Sequence, residues 1–272
     1  MYKLVATDLD GTLVTDDKKL MEQTIQTIQK AVEKNIKIVL SSARSFYRLE
    51  SYIDKLDLRK KGQYTICFNG AMIVENFSQK VQNAKHLEKE EILEIISLGK
   101  NLQIPMMLYA KEQNYVEEIP DILLKNKNAK GIRYQIGSFE KIDFNQEENY
   151  IYRIAFIDTF ERINDIRKKI PLEFFQKYEI TSSSPQYIEF VKKGIKKSEA
   201  IKFIIEQCHI KQSEVIAIGD SENDIEMLKF AGLGVAVENA NFDVKENANF
   251  ITTSNNQNGV GKVIETFILQ ED

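Results

Sequence analysis

Four aspartates are gathered in two short stretches far apart in the chain: Asp8 and Asp10 in DLDGTL (8–13), Asp220 and Asp224 in IGDSENDIEML (218–228). Each stretch follows an apolar run, so each delivers its acids at the end of what reads as a buried strand. Carboxylates brought into one crevice repel one another; either a pKa rises or a cation is held there. An all-oxygen donor set suits a hard divalent ion such as Mg²⁺. A calcium loop of the EF-hand kind is excluded at both places. Counting from Asp8, the sixth residue is Leu13 instead of glycine and the twelfth is Lys19 instead of glutamate; from Asp220 they are Ile225 and Ala231.

These parts suit phosphoryl transfer. A carboxylate attacks phosphorus to form an aspartyl-phosphate. A second acid two residues along an extended chain lies on the same side, where it can protonate a leaving oxygen and later activate water. Lys193, Lys196 and Lys197 precede a helical segment. They read equally as a surface cluster or as the source of a cation for the transferring phosphoryl group.

Placing these groups together requires a particular scaffold. The runs 3–7, 36–40 and 65–68 read as buried strands, and Leu20, Ile25, Ile28 and Val32 mark a helix face between the first two. Strand, helix and strand in this order form a right-handed unit with parallel strands. The pattern returns at the far end, with strands at 215–218, 233–237 and 250–253 and helices at 200–207 and from Gly259. The expected fold is α/β, a doubly wound parallel sheet. Residues 83–186 read differently, denser in charge, Tyr and Asn. A helix at 90–101 and strands at 105–109, 131–136 and 150–156 suggest an α+β insert with an antiparallel sheet. The expected organisation is a core in two halves, 1–82 and 187–272, interrupted by an insert at 83–186. Ligands of such sheets bind beyond the carboxyl ends of the strands. There the reading collects Asp8, Asp10, Ser42, Asn69, Asp220, Asn223 and Asp224.

Composition narrows the partners. The 272 residues carry a formal charge of −4, 43% hydrophobic residues and 29% charged ones. This mildly acidic chain gives no electrostatic reason to expect nucleic acid or an anionic membrane as partner, and Arg167-Lys168-Lys169 reads as a solvated face. Cys67 and Cys208 form no Cys-x-x-Cys, so neither a disulfide framework nor zinc is expected. No run approaches the roughly 18–20 apolar residues of a spanning helix, and the N-terminus shows no signal peptide. The chain reads as cytoplasmic, a monomer or weak homodimer acting on a small molecule. His86 and His209 read as surface or packing residues.

Taken together, DLDGTL (8–13), IVLSSAR (38–44), KKGIKKSEAI (192–201) and IGDSENDIEML (218–228) resemble the four motifs of the haloacid dehalogenase-like phosphatases, in particular the Cof-type branch with a large cap. FNGA (68–71), AGLGVAVENA (231–240) and NNQNGVGKVI (255–264) add to the match, which covers both core halves and is weak across the insert. The resemblance implies a Mg²⁺-dependent phosphatase of small phosphorylated metabolites, such as sugar phosphates or phosphorylated cofactors, working through an aspartyl-phosphate. It implies Asp8 as nucleophile and metal ligand, and Asp10 as acid/base with its backbone carbonyl on the metal. Asp220 would ligate by its side chain, with Asp224 in the outer shell of the metal. Leu9, Ser42, Ala43, Lys197 and Asn223 would hold phosphate, and Arg44, Asn69 and Gly70 are candidates for substrate contact. The insert would be the substrate-selecting cap. A phosphotransferase or mutase on the same scaffold, and a non-catalytic phosphate-binding regulator, are the alternatives. The chain departs from the family in Ser42-Ala43-Arg44, where Thr-Gly-Arg is usual, and in Ser198, where glycine is usual.

Overall fold

The run Leu-Val-Ala-Thr is buried at all four positions and forms β1 (Leu4–Thr7). After it come β2 (Lys37–Ser41), β3 (Tyr64–Cys67), β4 (Met72–Glu75) and β5 (Val81–Ala84); then β6 (Met106–Tyr109), β7 (Asn114–Val116), β8 (Tyr134–Ile136), β9 (Arg153–Ile157), β10 (Tyr178–Thr181) and β11 (Tyr187–Lys192); finally β12 (Val215–Gly219), β13 (Leu233–Ala236) and β14 (Phe250–Ile251). The computed structural model describes residues 1–125 and 132–270. The chain divides into a larger unit, Met1–Arg44, Leu49–Asn83 and Lys196–Asp272, and a smaller one, Ser45–Arg48 and Ala84–Ile195. No helix among the described residues is long and apolar enough to cross a membrane.

In the larger unit eight strands run in the order β14-β13-β12-β1-β2-β3-β4-β5. β1 lies between β2 and β12 and is parallel to both, with Thr7 opposite Leu40 on one side and Ile218 on the other. This register is what brings distant segments together. The residues after Thr7, Ser41 and Gly219 emerge at the same edge of the sheet. The helix Glu22–Glu33 connects β1 to β2, and the expected α/β, doubly wound fold is present. Its buried face differs in detail from the apolar spacing. It is Thr24, Thr27, Ile28, Ala31 and Val32, because the two threonine hydroxyls donate to Asn258 and Glu265 of the C-terminal segment.

In the smaller unit the order is β10-β11-β9-β6-β7-β8. Period-two alternation sorts its faces. Ile154 and Phe156 of β9, Leu108 of β6 and Ile188 and Phe190 of β11 join an apolar cluster with Ile92, Ile95, Ile163 and Ile166 from the helices Lys89–Asn101 and Phe160–Lys169. The intervening residues, Tyr109, Arg153, Tyr187 and Glu189, lie on the other face.

Three expectations need correction. The boundary at 186/187 falls too early: β11 pairs antiparallel with β9 and β10, so the larger unit resumes at Lys196. The insert's sheet is not wholly antiparallel, since β7 and β8 pair in parallel. The strand expected at 131–136 is confined to Tyr134–Ile136, and Gly131 lies outside the described residues.

Candidate active site

At the edge where β1 and β12 end, the expected acids meet their lysine. Asp8, Asp224 and Lys197 are buried at 7%, 0% and 1% exposure. Lys197 Nζ donates to Asp8 Oδ1 at 2.5 Å and to Asp224 Oδ1 at 2.7 Å. The other oxygen of Asp224 accepts the backbone N–H groups of Asp220 and Ser221, each at 3.0 Å. Asp220 accepts from Thr12 Oγ1 at 2.5 Å and from Ser221 Oγ at 2.9 Å. The lysine therefore belongs to the buried cluster and not to a surface patch. Thr12 and Ser221 were missed at the sequence level, although both stand inside the quoted motifs.

Burial pushes the Asp8 carboxyl well above the usual range, Asp224 and Asp220 add to the rise, and Lys197 opposes it. Burial, then Asp224, pushes Asp220 up to about 6. For Lys197, burial acts to lower the pKa, but Asp224 and Asp8 outweigh it and the ammonium is held charged. Three carboxylates against one ammonium is an excess of negative charge. Oxygens of Asp8, Asp220 and Asp224 come within 4.8 Å of one another. An all-carboxylate set in which Asp8 and Asp220 have raised pKa values, with too little positive charge beside it, fits a hard divalent cation such as Mg²⁺. Asp224 holds Lys197 on one oxygen and two backbone N–H groups on the other, whereas among the described residues each oxygen of Asp220 accepts one hydroxyl and the Asp8 carboxylate accepts Lys197 alone; Asp8 and Asp220 therefore keep the lone pairs to hold it, and Asp224 fixes Lys197 and the loop.

Asp10 is treated differently. Its carboxylate is absent from that cluster and is gripped by Arg44, Nε to Oδ2 at 2.7 Å and Nη2 to Oδ1 at 2.6 Å, and by Lys18 Nζ on Oδ1 at 2.9 Å. Burial acts to raise its pKa, but Arg44 and then Lys18 win and hold it below the usual range. Arg44, expected as a substrate contact, is thus a partner of Asp10.

The loops are shaped to allow this. Gly11 has φ +88°, and a β-carbon there would stand 2.7 Å from Asp220 Oδ2. Phe68, Asn69 and Gly70 all have positive φ, at 51°, 59° and 109°, a strained run of the kind concentrated at functional sites. It turns Asn69 so that its Oδ1 accepts Asn223 Nδ2 at 3.0 Å, and presses Gly70 so close to Lys196 O that a β-carbon would lie 2.5 Å away. Asn69 and Gly70 therefore buttress Asn223 and the start of the Lys197 helix. Ser42 is buried, its Oγ accepting the Arg44 amide at 3.2 Å. Among the described backbone hydrogen bonds, neither the Leu9 nor the Ala43 amide donates to a carbonyl. Both are available to an anion.

The smaller unit carries a second polar array. Register aligns Tyr134, Asn114, Tyr109 and Arg153 in one row across β8, β7, β6 and β9. The Arg153 guanidinium lies 3.7 Å over the Tyr109 ring and pairs with buried Glu189, which also accepts Ser183 Oγ at 2.9 Å. Three buried polar atoms of the row have no partner among the described residues: Tyr134 OH, Asn114 Oδ1 and Arg153 Nε. Each such atom costs about 1–3 kcal/mol when nothing pairs with it.

Residues 5–264 match the family described as haloacid dehalogenase-like hydrolase. The chain is 31% identical to the YxeH protein of Bacillus subtilis (strain 168), with 99% of each chain covered. It is 30% identical to the 5-amino-6-(5-phospho-D-ribitylamino)uracil phosphatase YcsE of the same organism, covering 98% of this chain and 96% of that one. Among solved structures, a haloacid dehalogenase-like hydrolase from Bacteroides thetaiotaomicron superposes with a TM-score of 0.85 at 25% identity, covering 98% of this chain and 100% of that chain. The strand ends where the four motifs meet thus lie within a match to one family that runs along almost the whole chain: it belongs to the haloacid dehalogenase-like hydrolases.

Proposed function

We propose that this protein is a Mg²⁺-dependent phosphatase of small phosphorylated metabolites. The observation that carries the reading is Lys197 bridging Asp8 and Asp224, with Asp220 beside them, in one buried cluster at the sheet edge. Lys197 holds Oδ1 of Asp8 and leaves Oδ2 to attack phosphorus. As the Asp8–phosphorus bond forms, the ester bond breaks and Asp10, protonated once the negative charge of the substrate's phosphate offsets Arg44 and Lys18, gives that proton to the departing oxygen. Water then attacks the aspartyl-phosphate, Asp10 takes its proton, and phosphate leaves with Asp8 regenerated. The amides of Leu9 and Ala43, with Ser42, Lys197 and Asn223, seat the phosphoryl oxygens. Bound at Asp8 and Asp220, Mg²⁺ would cancel the excess negative charge and polarise the phosphoryl group.

Selection among substrates we assign to the polar row of the smaller sheet. Its unpaired atoms comprise a donor, an acceptor and a hydroxyl that does either, beside an aromatic ring. That chemistry suits a neutral leaving group rich in hydroxyls or amides, such as a sugar, a polyol or a small heterocycle. YcsE, whose named substrate carries a ribityl chain and a uracil ring, is in keeping with this.

The test is phosphate release from a panel of sugar phosphates, nucleotides, FMN and pyridoxal phosphate, with Mg²⁺ or with chelator, for the native protein and Asp8→Asn. Turnover that needs both Mg²⁺ and Asp8 supports the reading. Turnover that survives either loss sinks it.

A further inference from the structure

Lys18 belongs to none of the four motifs, yet the fold fixes it with unusual care. Its backbone has φ +61°, a left-handed conformation that costs a side-chain-bearing residue energy. Its N–H donates to Thr15 O at 2.8 Å, and its carbonyl accepts Tyr52 OH at 3.2 Å. Tyr52 in turn packs under the Arg44 guanidinium, 5.6 Å from ring centroid to carbon. Only 27% of the Lys18 side chain is exposed, and its ammonium reaches Asp10 Oδ1 at 2.9 Å. An ordinary surface pair, worth roughly 0–1 kcal/mol, has no need of such fastening.

The consequence appears when the lone pairs of Asp10 are counted. A carboxylate oxygen accepts about two hydrogen bonds. Oδ1 carries Arg44 Nη2 and Lys18 Nζ and is full; among the described residues, Oδ2 carries Arg44 Nε alone. We infer that Lys18 is a positioning residue for the acid/base step: by filling Oδ1 together with Arg44, it leaves Oδ2 as the oxygen that exchanges the proton and fixes its direction. Arg44 alone would leave one site open on each oxygen, and the proton would reside on the wrong one for part of each cycle. The inference rests on the phosphatase reading above.

A residue that serves only proton delivery matters in proportion to the leaving group's need for a proton. The test compares phenyl phosphate with 4-nitrophenyl phosphate, esters of similar shape whose phenolate and nitrophenolate differ greatly in basicity. kcat and KM are measured with Mg²⁺ for the native protein, Lys18→Met and Lys18→Arg, with Asp10→Asn as reference. For Lys18→Met, the expected result is a fall in kcat of about tenfold on phenyl phosphate, a part of the ~10²–10⁴ available from acid catalysis. Change on 4-nitrophenyl phosphate should stay within about twofold, with KM steady for both. Lys18→Arg should restore the phenyl phosphate rate, and Asp10→Asn should show the same selectivity at larger size. Equal losses on the two esters, or no loss on either, would overturn the role of Lys18 while leaving the phosphatase reading intact. A native protein inactive on both esters, or an Asp8→Asn variant that turns them over, would overturn both.

Discussion

The two polar arrays of this molecule are unbalanced in opposite ways. In the larger unit, three carboxylates face one ammonium and the raised pKa values of Asp8 and Asp220 register the excess charge. In the smaller unit the charges balance, Arg153 against Glu189, while neutral hydrogen-bonding atoms of Tyr134 and Asn114, with Arg153 Nε, go unpaired. A deficit of positive charge calls for a cation. A deficit of hydrogen-bond partners is what the proposed substrate, rich in hydroxyls or amides, would meet. On that proposal, reaction and recognition divide between the two regions.

The sharpest way to break the contrast is Asp8→Asn. It should lower phosphate release by about 10⁴-fold or more, and a surviving rate would show that the larger unit's cluster is not where the reaction occurs. Lys197→Met comes next. It should slow turnover by roughly 10²–10³-fold, and, because it strands two buried carboxylates, lower stability in urea titration by about 3–5 kcal/mol. An unchanged unfolding midpoint would mean that the cluster is not charge-coupled as described.

The third prediction concerns pH. An Asp220 pKa raised to about 6 means that the metal-free folded protein holds a proton there that the unfolded chain releases nearer 4. The sign is opposite to that of a salt-bridged aspartate. This group favours folding at pH 4, and its contribution is lost as pH rises through 6. Mg²⁺ must displace the proton, so calorimetric affinity for Mg²⁺ should fall by up to about tenfold per unit below pH 6. A flat profile between pH 5 and 7 would contradict the charge excess. The smallest effect is expected on the other side of the contrast. Tyr134→Phe removes one unpaired hydroxyl and nothing else, so stability should hold or rise by up to about 1 kcal/mol. kcat/KM for the best sugar phosphate should fall severalfold, and that for 4-nitrophenyl phosphate should not. A loss of stability would show that the hydroxyl is already satisfied within the protein.

The two regions also differ in how far the sequence discloses them. Asp8, Ser42, Lys197, Asp220 and Asp224 are legible because each follows or begins an element of its own. A parallel sheet places all strand ends at one edge whatever the exact register. The row Tyr134–Asn114–Tyr109–Arg153 is not legible, because only the observed pairing of four separate strands puts those residues side by side. β11 was assigned to the wrong unit for a related reason. Its inward residues, Ile188 and Phe190, with Val191 buried on the other face, are as apolar as those of a core strand, and what distinguishes it is its antiparallel pairing with β9. Lys18 was overlooked because a lysine in an acidic turn reads as solvent-exposed, and only its backbone conformation and its reach to Asp10 show otherwise. In the helix Glu22–Glu33 the count of apolar residues missed Thr24 and Thr27, which are buried because their hydroxyls are satisfied.

The interrupted course of the larger unit has a consequence in time. Asp8 and Lys197 are 189 positions apart. At ~5–20 residues per second of synthesis, the lysine follows the aspartate by roughly 10–40 s. β12, which pairs with β1, is made later still, so the middle strand of the sheet waits with one edge open while the whole of Ala84–Ile195 leaves the ribosome. An open apolar edge invites wrong pairing. Within that interval the smaller unit has all of its strands and can complete its own sheet first. Closure of the larger sheet and birth of the reactive cluster are then a single late event in the life of the nascent chain.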